Sequence, residues 1–182
     1  MHGYFVEQMA MYSSYHRDLR NKLTHFIGVP AIAFSLLIPT AWLEIAQVGP
    51  YTVSVATLLA VAVMLFWILL DAPLGISTAL FYIPFLAIAD WISGMTATTG
   101  WIVFAVFFVG GWVFQLVGHG FEGRKPALVD NLLQVFIAPM FLMAEVWFAL
   151  GLRRGLHDEV ENRWRDYLPD NAAADGQAAE AR

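Results

Sequence analysis

Three histidines lie beside the apolar segments of this 182-residue chain and are its best candidates for chemistry. His16 and His25 come just before or at the start of the first apolar segment, and His119 comes just after the fourth. Imidazole nitrogens combined with a carboxylate and open positions suit a non-haem Fe(II) site, although manganese and zinc accept similar ligands. We therefore predict that His16, His25 and His119 bind one metal ion.

The spacing of these residues restricts how they can meet. Asn21 and His25 are four residues apart, and His119 and Glu122 are three apart, so each pair shares one face of a helix. His16 and His25 are nine apart and would point to opposite sides of a straight helix. A common site therefore requires a bend, or two short helices, between them.

Each candidate also has a plainer structural interpretation. A histidine near a membrane surface commonly bonds only to lipid or backbone. Glu122 can pair with Arg124 or Lys125, and Asp130 can cap a helix that begins near Asn131. Basic residues close to the spans can serve only as anchors on the cytoplasmic side.

The distribution of charge indicates an integral membrane protein. Hydrophobic residues make up 59% of the chain and charged residues 14%, whereas soluble domains are roughly 45–50% apolar and about 25% charged. Between residues 26 and 118 there is no lysine or arginine, and the acids are Glu44, Asp71 and Asp90. Roughly 20 apolar residues cross a bilayer as a helix. A net charge of −5 without a basic stripe argues against nucleic-acid binding. The absence of cysteine excludes disulfides and thiol chemistry.

The predicted fold is an all-α integral membrane protein, a compact bundle of four transmembrane helices plus a fifth segment that re-enters or spans. The four spans are expected at about 26–46, 51–70, 74–90 and 101–118, and the fifth segment at 132–150. Short connections make neighbouring helices antiparallel. The expected division of the chain is a polar segment with the histidine motif (1–25), the bundle (26–151), a charged amphipathic helix (152–169) and a disordered tail (170–182).

The basic residues predict the orientation, because lysine and arginine favour the cytoplasmic side. The basic N-terminal segment and the loop 119–131 share one side if four spans separate them. Arg153 and Arg154 join them there only if segment 132–150 does not cross fully, which favours a re-entrant or interfacial segment. We expect the site to face the cytoplasm, in a bacterial inner membrane or, in a eukaryote, the endoplasmic reticulum.

Two motifs carry a resemblance to a known family. The first reads His16-Arg17-Asp18-x-x-Asn21-x-x-x-His25-x-x-Gly28-x-Pro30. The second reads Gly118-His119-x-x-Glu122-Gly123-Arg124-Lys125-Pro126-Ala127-x-x-Asp130. With the apolar segments between them, they resemble the Mpo1-like family of small membrane proteins over about residues 5–155. Pro139 and Glu145 match positions of the same family pattern.

The resemblance implies an Fe(II)-dependent dioxygenase that uses O2 to shorten long-chain 2-hydroxy fatty acids by one carbon, the alpha-oxidation step. It implies that His16, His25 and His119 are the essential metal ligands. The other motif positions carried over as catalytic residues are Glu122, Asn21 and Asp130. The basic residues expected to pair with the substrate carboxylate are Arg17, Arg124 and Lys125. The expected partners are the fatty acid, O2 and membrane lipids.

Two other functions compete with this interpretation. A membrane lipid hydroxylase or desaturase would need dense histidine boxes for two irons, and the chain has none. A small transporter or scaffold protein would bind no metal, and its activity would survive the loss of His16 or His119.

Overall fold

Long apolar helices dominate the computed structural model, which describes residues 1–123 and 131–168. The helices are α1 (His2–Ser14), α2 (Leu19–Ala41), α3 (Val55–Leu70), α4 (Ala72–Ser93), α5 (Ala97–Glu122), α6 (Gln134–Ala149) and α7 (Arg154–Arg163). A β-hairpin of β1 (Glu44–Val48) and β2 (Tyr51–Ser54) lies between α2 and α3, and a 3-10 helix (Trp164–Tyr167) follows α7. The predicted disordered tail (170–182) lies outside the described residues.

Three of the described helices, α2, α4 and α5, are long and apolar enough to cross a membrane. Helix α3 is apolar but has 16 residues, about 24 Å at 1.5 Å per residue, against a bilayer core of about 30 Å. The mostly helical membrane architecture thus agrees with the sequence, while the predicted set of four spans is not confirmed.

The β-hairpin corrects two of the predicted span boundaries. Residues 44–46 were expected in the first span and residues 51–54 in the second, but they lie in antiparallel strands in which Val48 pairs with Tyr51. Gly49 in the turn has a φ of +59°, a backbone conformation that glycine adopts without strain. Ser54 then caps α3 by accepting the backbone N–H of Thr57. A turn at 47–50 was expected between the two spans, but the apolar pattern did not show that the residues on either side of it form strands.

Residues near both ends of helix α6 contact the end of α3. Near its start, the Trp67 indole N–H donates to the Phe136 carbonyl at 2.8 Å. Just beyond its end, Arg153 donates to Asp71 at 3.0 Å. Trp67 and Asp71 are one turn apart at the end of α3, so both ends of α6 contact the same end of the bundle. These contacts, with a bend of 119° between α6 and α7, favour a re-entrant segment over a complete span.

The N-terminal segment forms part of the core, which its polar composition did not reveal. Phe5, Val6, Met9 and Ala10 of α1 have no exposed surface. They belong to a cluster that also contains buried residues of α6 and α7. Helix α1 therefore covers the inner side of α6 and holds the residues that follow it, including His16, against the bundle.

Close packing of α2 on α5 sets the separation of the two helices that carry His25 and His119. Glycines on facing sides allow this approach: a Cβ on Gly111 would lie 2.7 Å from Ile32 Cγ1 and 3.0 Å from the Gly28 carbonyl oxygen. Small residues at helix contacts let backbones come together within a membrane. Gly110, next in the chain, faces open space.

This difference predicts opposite results for two adjacent substitutions. Gly111→Ala forces α2 and α5 apart and lowers the free energy of unfolding by about 1–3 kcal/mol, the usual cost of overpacking. Gly110→Ala meets no atom within 4 Å and leaves stability equal or slightly higher. Thermal unfolding of both variants in the same detergent measures the difference, and equal stability of the two would contradict the close contact.

Candidate metal centre

The three predicted histidines come together where α1, α2 and α5 meet. His25 lies in the second turn of α2, His119 in the last turn of α5, and His16 in the connection between α1 and α2. Their exposed fractions are 2%, 6% and 1%. The separation of α1 from α2 satisfies the requirement for a break in the chain between His16 and His25.

The start of α2 is defined by Asp18, which accepts the backbone N–H of Arg20 at 2.8 Å and so caps the helix. The Arg20 side chain also donates to this carboxylate, and its hydrogen bond holds the pKa of Asp18 at about 2. Asp18, the cap of α2, lies two residues after His16, so His16 precedes the helix. The direction of its side chain is therefore independent of the α2 axis.

The ring nitrogens of the three histidines converge. His16 Nε2 and His25 Nε2 are 3.0 Å apart, and one ligand nitrogen from each of the three rings lies within 4.8 Å of the others. The ring of His119 is 5.1 Å from that of His16 and 4.9 Å from that of His25, centroid to centroid. The arrangement surrounds one point from three directions.

Hydrogen bonds on the far side of two rings determine which nitrogen carries the proton. His16 Nδ1 bonds to the Tyr12 carbonyl oxygen at 2.7 Å, and His25 Nδ1 bonds to the Asn21 carbonyl oxygen at 2.9 Å. A carbonyl oxygen only accepts, so both Nδ1 atoms donate. In neutral rings, both Nε2 atoms then carry a lone pair. Burial and the neighbouring His25 hold the pKa of His16 well below its ordinary value, which keeps that ring neutral.

Two facing lone pairs 3.0 Å apart repel each other unless a cation lies between them. Two nitrogens each about 2.1 Å from one ion, at roughly a right angle, are about 3 Å apart, so the spacing fits coordination. His119 Nδ1 is also buried without a partner among the described residues. Three neutral imidazoles with bare nitrogens therefore fit a metal of the iron, manganese or zinc type.

Glu122 supports the site from the other side of the α1–α2 connection. Its carboxylate accepts the backbone N–H groups of Arg17 and Asp18, each at 2.9 Å, and the Asn21 amide at 3.0 Å. Glu122 ends α5 one turn after His119, so these bonds tie the helix of His119 to the segment that carries His16. Among the described residues, the grouped metal-binding side chains are the three histidines without Glu122. A catalytic role for Glu122 stays a prediction.

Asn21 is fully buried and connects several parts of the site. Its side chain donates to the Tyr15 carbonyl at 3.1 Å as well as to Glu122, while its backbone carbonyl orients His25. Orienting a ligand imidazole through its second nitrogen is the usual task of the groups around a metal's ligands. Its contacts in the structure are those of a positioning residue, and the predicted catalytic role is not tested by them.

Of the three basic residues expected to bind substrate, the structure describes Arg17. Arg17 donates to Glu161 in α7 at 2.7 and 3.0 Å and lies 4.3 Å from the Trp164 ring. This hydrogen bond lowers the pKa of Glu161. The guanidinium of Arg17 thus already has partners in the structure. Arg124, Lys125 and the predicted catalytic Asp130 lie outside the described residues.

Glu145, an acid within an apolar segment, has a partner that spacing did not indicate. Lys22 Nζ donates to it at 2.8 Å, and both side chains are largely buried. Lys22 also lies 5.8 Å from the Phe141 ring, which in turn is 6.0 Å from the ring of His16. An ion pair thus lies close to the histidine cluster.

An elongated apolar cavity of about 640 Å³ opens beside the histidines. Its wall follows α2 from His25 to Thr40, 15 residues or about 22 Å by helical rise. A volume of this size is typical of sites for small organic ligands. Leu36 and Leu59 in its wall are 46% and 50% exposed, so part of the wall faces the lipid side of the helices.

Polar residues of this wall escaped the sequence analysis. Gln115 and Gln134 both line the cavity and are at least nine-tenths buried. Gln134 donates to Gln8 Oε1 at 2.8 Å, which joins α6 to α1. The signal for Gln115 was available: it lies four residues before His119, on the same face of an otherwise apolar helix.

Comparison with known proteins gives one family. The family model described as "2-hydroxy-palmitic acid dioxygenase Mpo1-like" matches residues 2–150. A protein of Saccharomyces cerevisiae named 2-hydroxy-palmitic acid dioxygenase MPO1 is 36% identical over 158 residues, which cover 85% of this chain and 86% of the relative. No solved structure matches the chain.

Loss of one histidine should abolish metal binding. His25→Ala removes a nitrogen with its lone pair directed at His16, so we expect bound metal to fall from about one ion per chain to below about a tenth, through loss of one of three ligands. Elemental analysis of the purified protein measures this. His157→Ala is the matched control, because its ring is exposed and lies outside the cluster. Equal metal content in both variants would contradict a site at the three histidines.

Glu122→Gln tests the support of the α1–α2 connection. The amide replaces one of two accepting oxygens with a donor, so at least one N–H bond of Arg17, Asp18 or Asn21 is lost. We expect a loss of about 1.5–3 kcal/mol of stability, the range for hydrogen bonds to charged groups. Unfolding in detergent measures this loss of stability, and metal titration measures the effect on the metal site. Unchanged stability would show that these bonds contribute little.

Proposed function

The chain belongs to the Mpo1-like family, and from this premise we propose that it is an Fe(II)-dependent membrane dioxygenase that shortens long-chain 2-hydroxy fatty acids by one carbon. In the net reaction, a 2-hydroxy acid and O2 give a fatty acid one carbon shorter, CO2 and water. The bond between C1 and C2 breaks, O2 is reduced, and C1 leaves as CO2.

One observation carries the proposal: two imidazole lone pairs face each other at 3.0 Å beside a long apolar cavity. The lone pairs support a bound cation, and the cavity supports a ligand with a long apolar chain. A scaffold, or a transporter that binds no metal, does not account for the facing lone pairs. The name of the yeast relative supports the same substrate class and reaction.

We assign the iron to His16, His25 and His119, the three grouped side chains. When bound, the iron supplies the redox chemistry that lets O2 react with an organic acid. The protein keeps these rings neutral and correctly turned through the carbonyls of Tyr12 and Asn21. Because both Nδ1 protons are already donated, the Nε2 atoms stay available as ligands.

The cavity explains why the reaction would take place in a membrane protein. The acyl chain lies along α2, where burial of each methylene favours binding by roughly 0.8 kcal/mol relative to water. Exposed wall residues such as Leu36 and Leu59 suit entry from the lipid phase. The carboxylate then remains at the histidine end, where the aqueous surface and basic residues lie.

The carboxylate needs a cationic partner at that end. Lys22, near Phe141, is one described cation at this end, and it would have to exchange Glu145 for the substrate. Arg17 would have to exchange Glu161 for the substrate. Arg124 and Lys125 remain proposed partners on the basis of the motif. We further propose that this end faces the cytoplasm, following the basic residues.

The decisive experiment supplies the purified protein with Fe(II), O2 and 2-hydroxypalmitic acid. We expect pentadecanoic acid and CO2 in equal amounts, identified by mass spectrometry. His119→Ala should reduce the rate by at least about a hundredfold because it removes a metal ligand. His157→Ala, outside the cluster, should retain the wild-type rate.

Metal removal provides the second arm. A chelator should abolish product formation, and Fe(II) should restore it, whereas Zn(II) should not because zinc has no accessible redox chemistry. Full turnover by metal-free protein, or restoration by zinc, would refute the iron-dependent reaction. Consumption of unsubstituted palmitic acid at the same rate would refute the proposed substrate class.

A further inference from the structure

A largely buried glutamine in the cavity wall has no hydrogen-bond partner among the described residues. Gln115 lies in α5, is 8% exposed and lines the apolar cavity. Its side chain makes no hydrogen bond to any residue that the structure describes. A leucine or methionine would pack in this apolar wall without a polar group, whereas the Gln115 amide places a donor and an acceptor beside the cavity. The amide therefore calls for a ligand that satisfies it.

The position of Gln115 relates it to the metal centre. It precedes His119 by four residues, which places both side chains on one face of α5 with a rise of about 6 Å between them. The amide thus borders the cavity one turn further into the bundle than the histidine. A ligand that extends from the histidines along the cavity passes this residue first on α5.

The opposite helix leaves room for the amide. A Cβ on Gly28 of α2 would lie 3.3 Å from Gln115 Nε2 and 3.1 Å from its Cγ. Gly28 follows His25 by three residues, so the space lies close to the second histidine as well. The glycine allows Gln115 to remain beside the cavity between the two metal-bearing helices.

We propose that Gln115 binds the head of the substrate and gives the cavity its preference for 2-hydroxy acids over unsubstituted acids. A carboxamide offers one acceptor oxygen and an N–H donor side by side. A 2-hydroxy acid offers the matching pair on adjacent carbons, a hydroxyl donor and a carboxylate acceptor. An unsubstituted fatty acid lacks the hydroxyl and leaves the Gln115 oxygen unpaired, a defect that sites of this kind discriminate against. This inference rests on the proposed function for the identity of the ligand.

Binding without turnover tests the assignment. Intrinsic tryptophan fluorescence, to which Trp67 and Trp112 in the cavity wall contribute, reports binding of 2-hydroxypalmitic acid and of palmitic acid under nitrogen. For the wild type we expect the hydroxy acid to bind at least about tenfold more tightly, the equivalent of one hydrogen bond of about 1.4 kcal/mol. Gln115→Met, which keeps the length of the side chain and removes the amide, should reduce this ratio to about one.

Val117→Met is the matched control, because Val117 lies on α5 with an exposed side chain and does not line the cavity. It should keep the wild-type preference. Metal content and thermal stability of both variants show that the fold and the histidine site persist. Gln115→Leu repeats the test with a second apolar side chain of similar size.

The binding results test the role of Gln115 independently of whether the protein carries out the proposed reaction. A preference retained by Gln115→Met and Gln115→Leu, or absent from the wild type, overturns the role of Gln115 even if the wild type shortens the acid. A preference lost in both variants supports the role even if the wild type gives no product, and in that case only the proposed reaction fails. A ratio that also falls in Val117→Met would show a general loss of binding and overturn the specific role.

Discussion

Two imidazole lone pairs held 3.0 Å apart are the constraint around which this molecule is organised. The backbone carbonyls of Tyr12 and Asn21 fix both rings with their bare nitrogens inward. Repulsion between those nitrogens has to be relieved by a cation, since burial disfavours protonation. Glu122 accepts three N–H groups close to the rings. These hydrogen bonds and the other polar contacts keep the segments that bear the rings from moving apart.

The apolar surroundings strengthen the contacts within this polar cluster. Hydrogen bonds and ion pairs are stronger where water is scarce, and unpaired polar groups are correspondingly costly. The glycines at the contact of α2 with α5 bring His25 and His119 close, and α1 covers the cluster with buried apolar side chains. The same helices leave an apolar space beside the three histidines, so one packing arrangement produces both the polar centre and the cavity.

Several features of the fold were beyond prediction for identifiable reasons. The hairpin at 44–54 lies inside hydrophobic stretches, and apolar character alone does not distinguish a membrane helix from a short strand. The buried face of α1 was missed because the first 25 residues were taken together as polar, although most of their charges follow α1 and Phe5, Val6 and Met9 share its buried side. The partners of Glu145 and Arg17, namely Lys22 and Glu161, are more than a hundred residues distant in the chain. Long-range pairs of this kind leave no periodic signal.

The amino-acid sequence by itself determined the membrane character, the family and the identity of the three histidines, because charge depletion and motif spacing are local properties of the chain. It also showed that His16 and His25 need a break between them to meet. Only the tertiary structure decided that α1 and α2 supply this break and that residues near both ends of α6 contact the end of α3. It alone revealed that Glu122 accepts backbone N–H groups and that Gln115, beside a cavity, has no hydrogen-bond partner in the described part of the chain. These facts depend on which distant surfaces pack together, and that choice is made by the whole set of contacts rather than by any one segment.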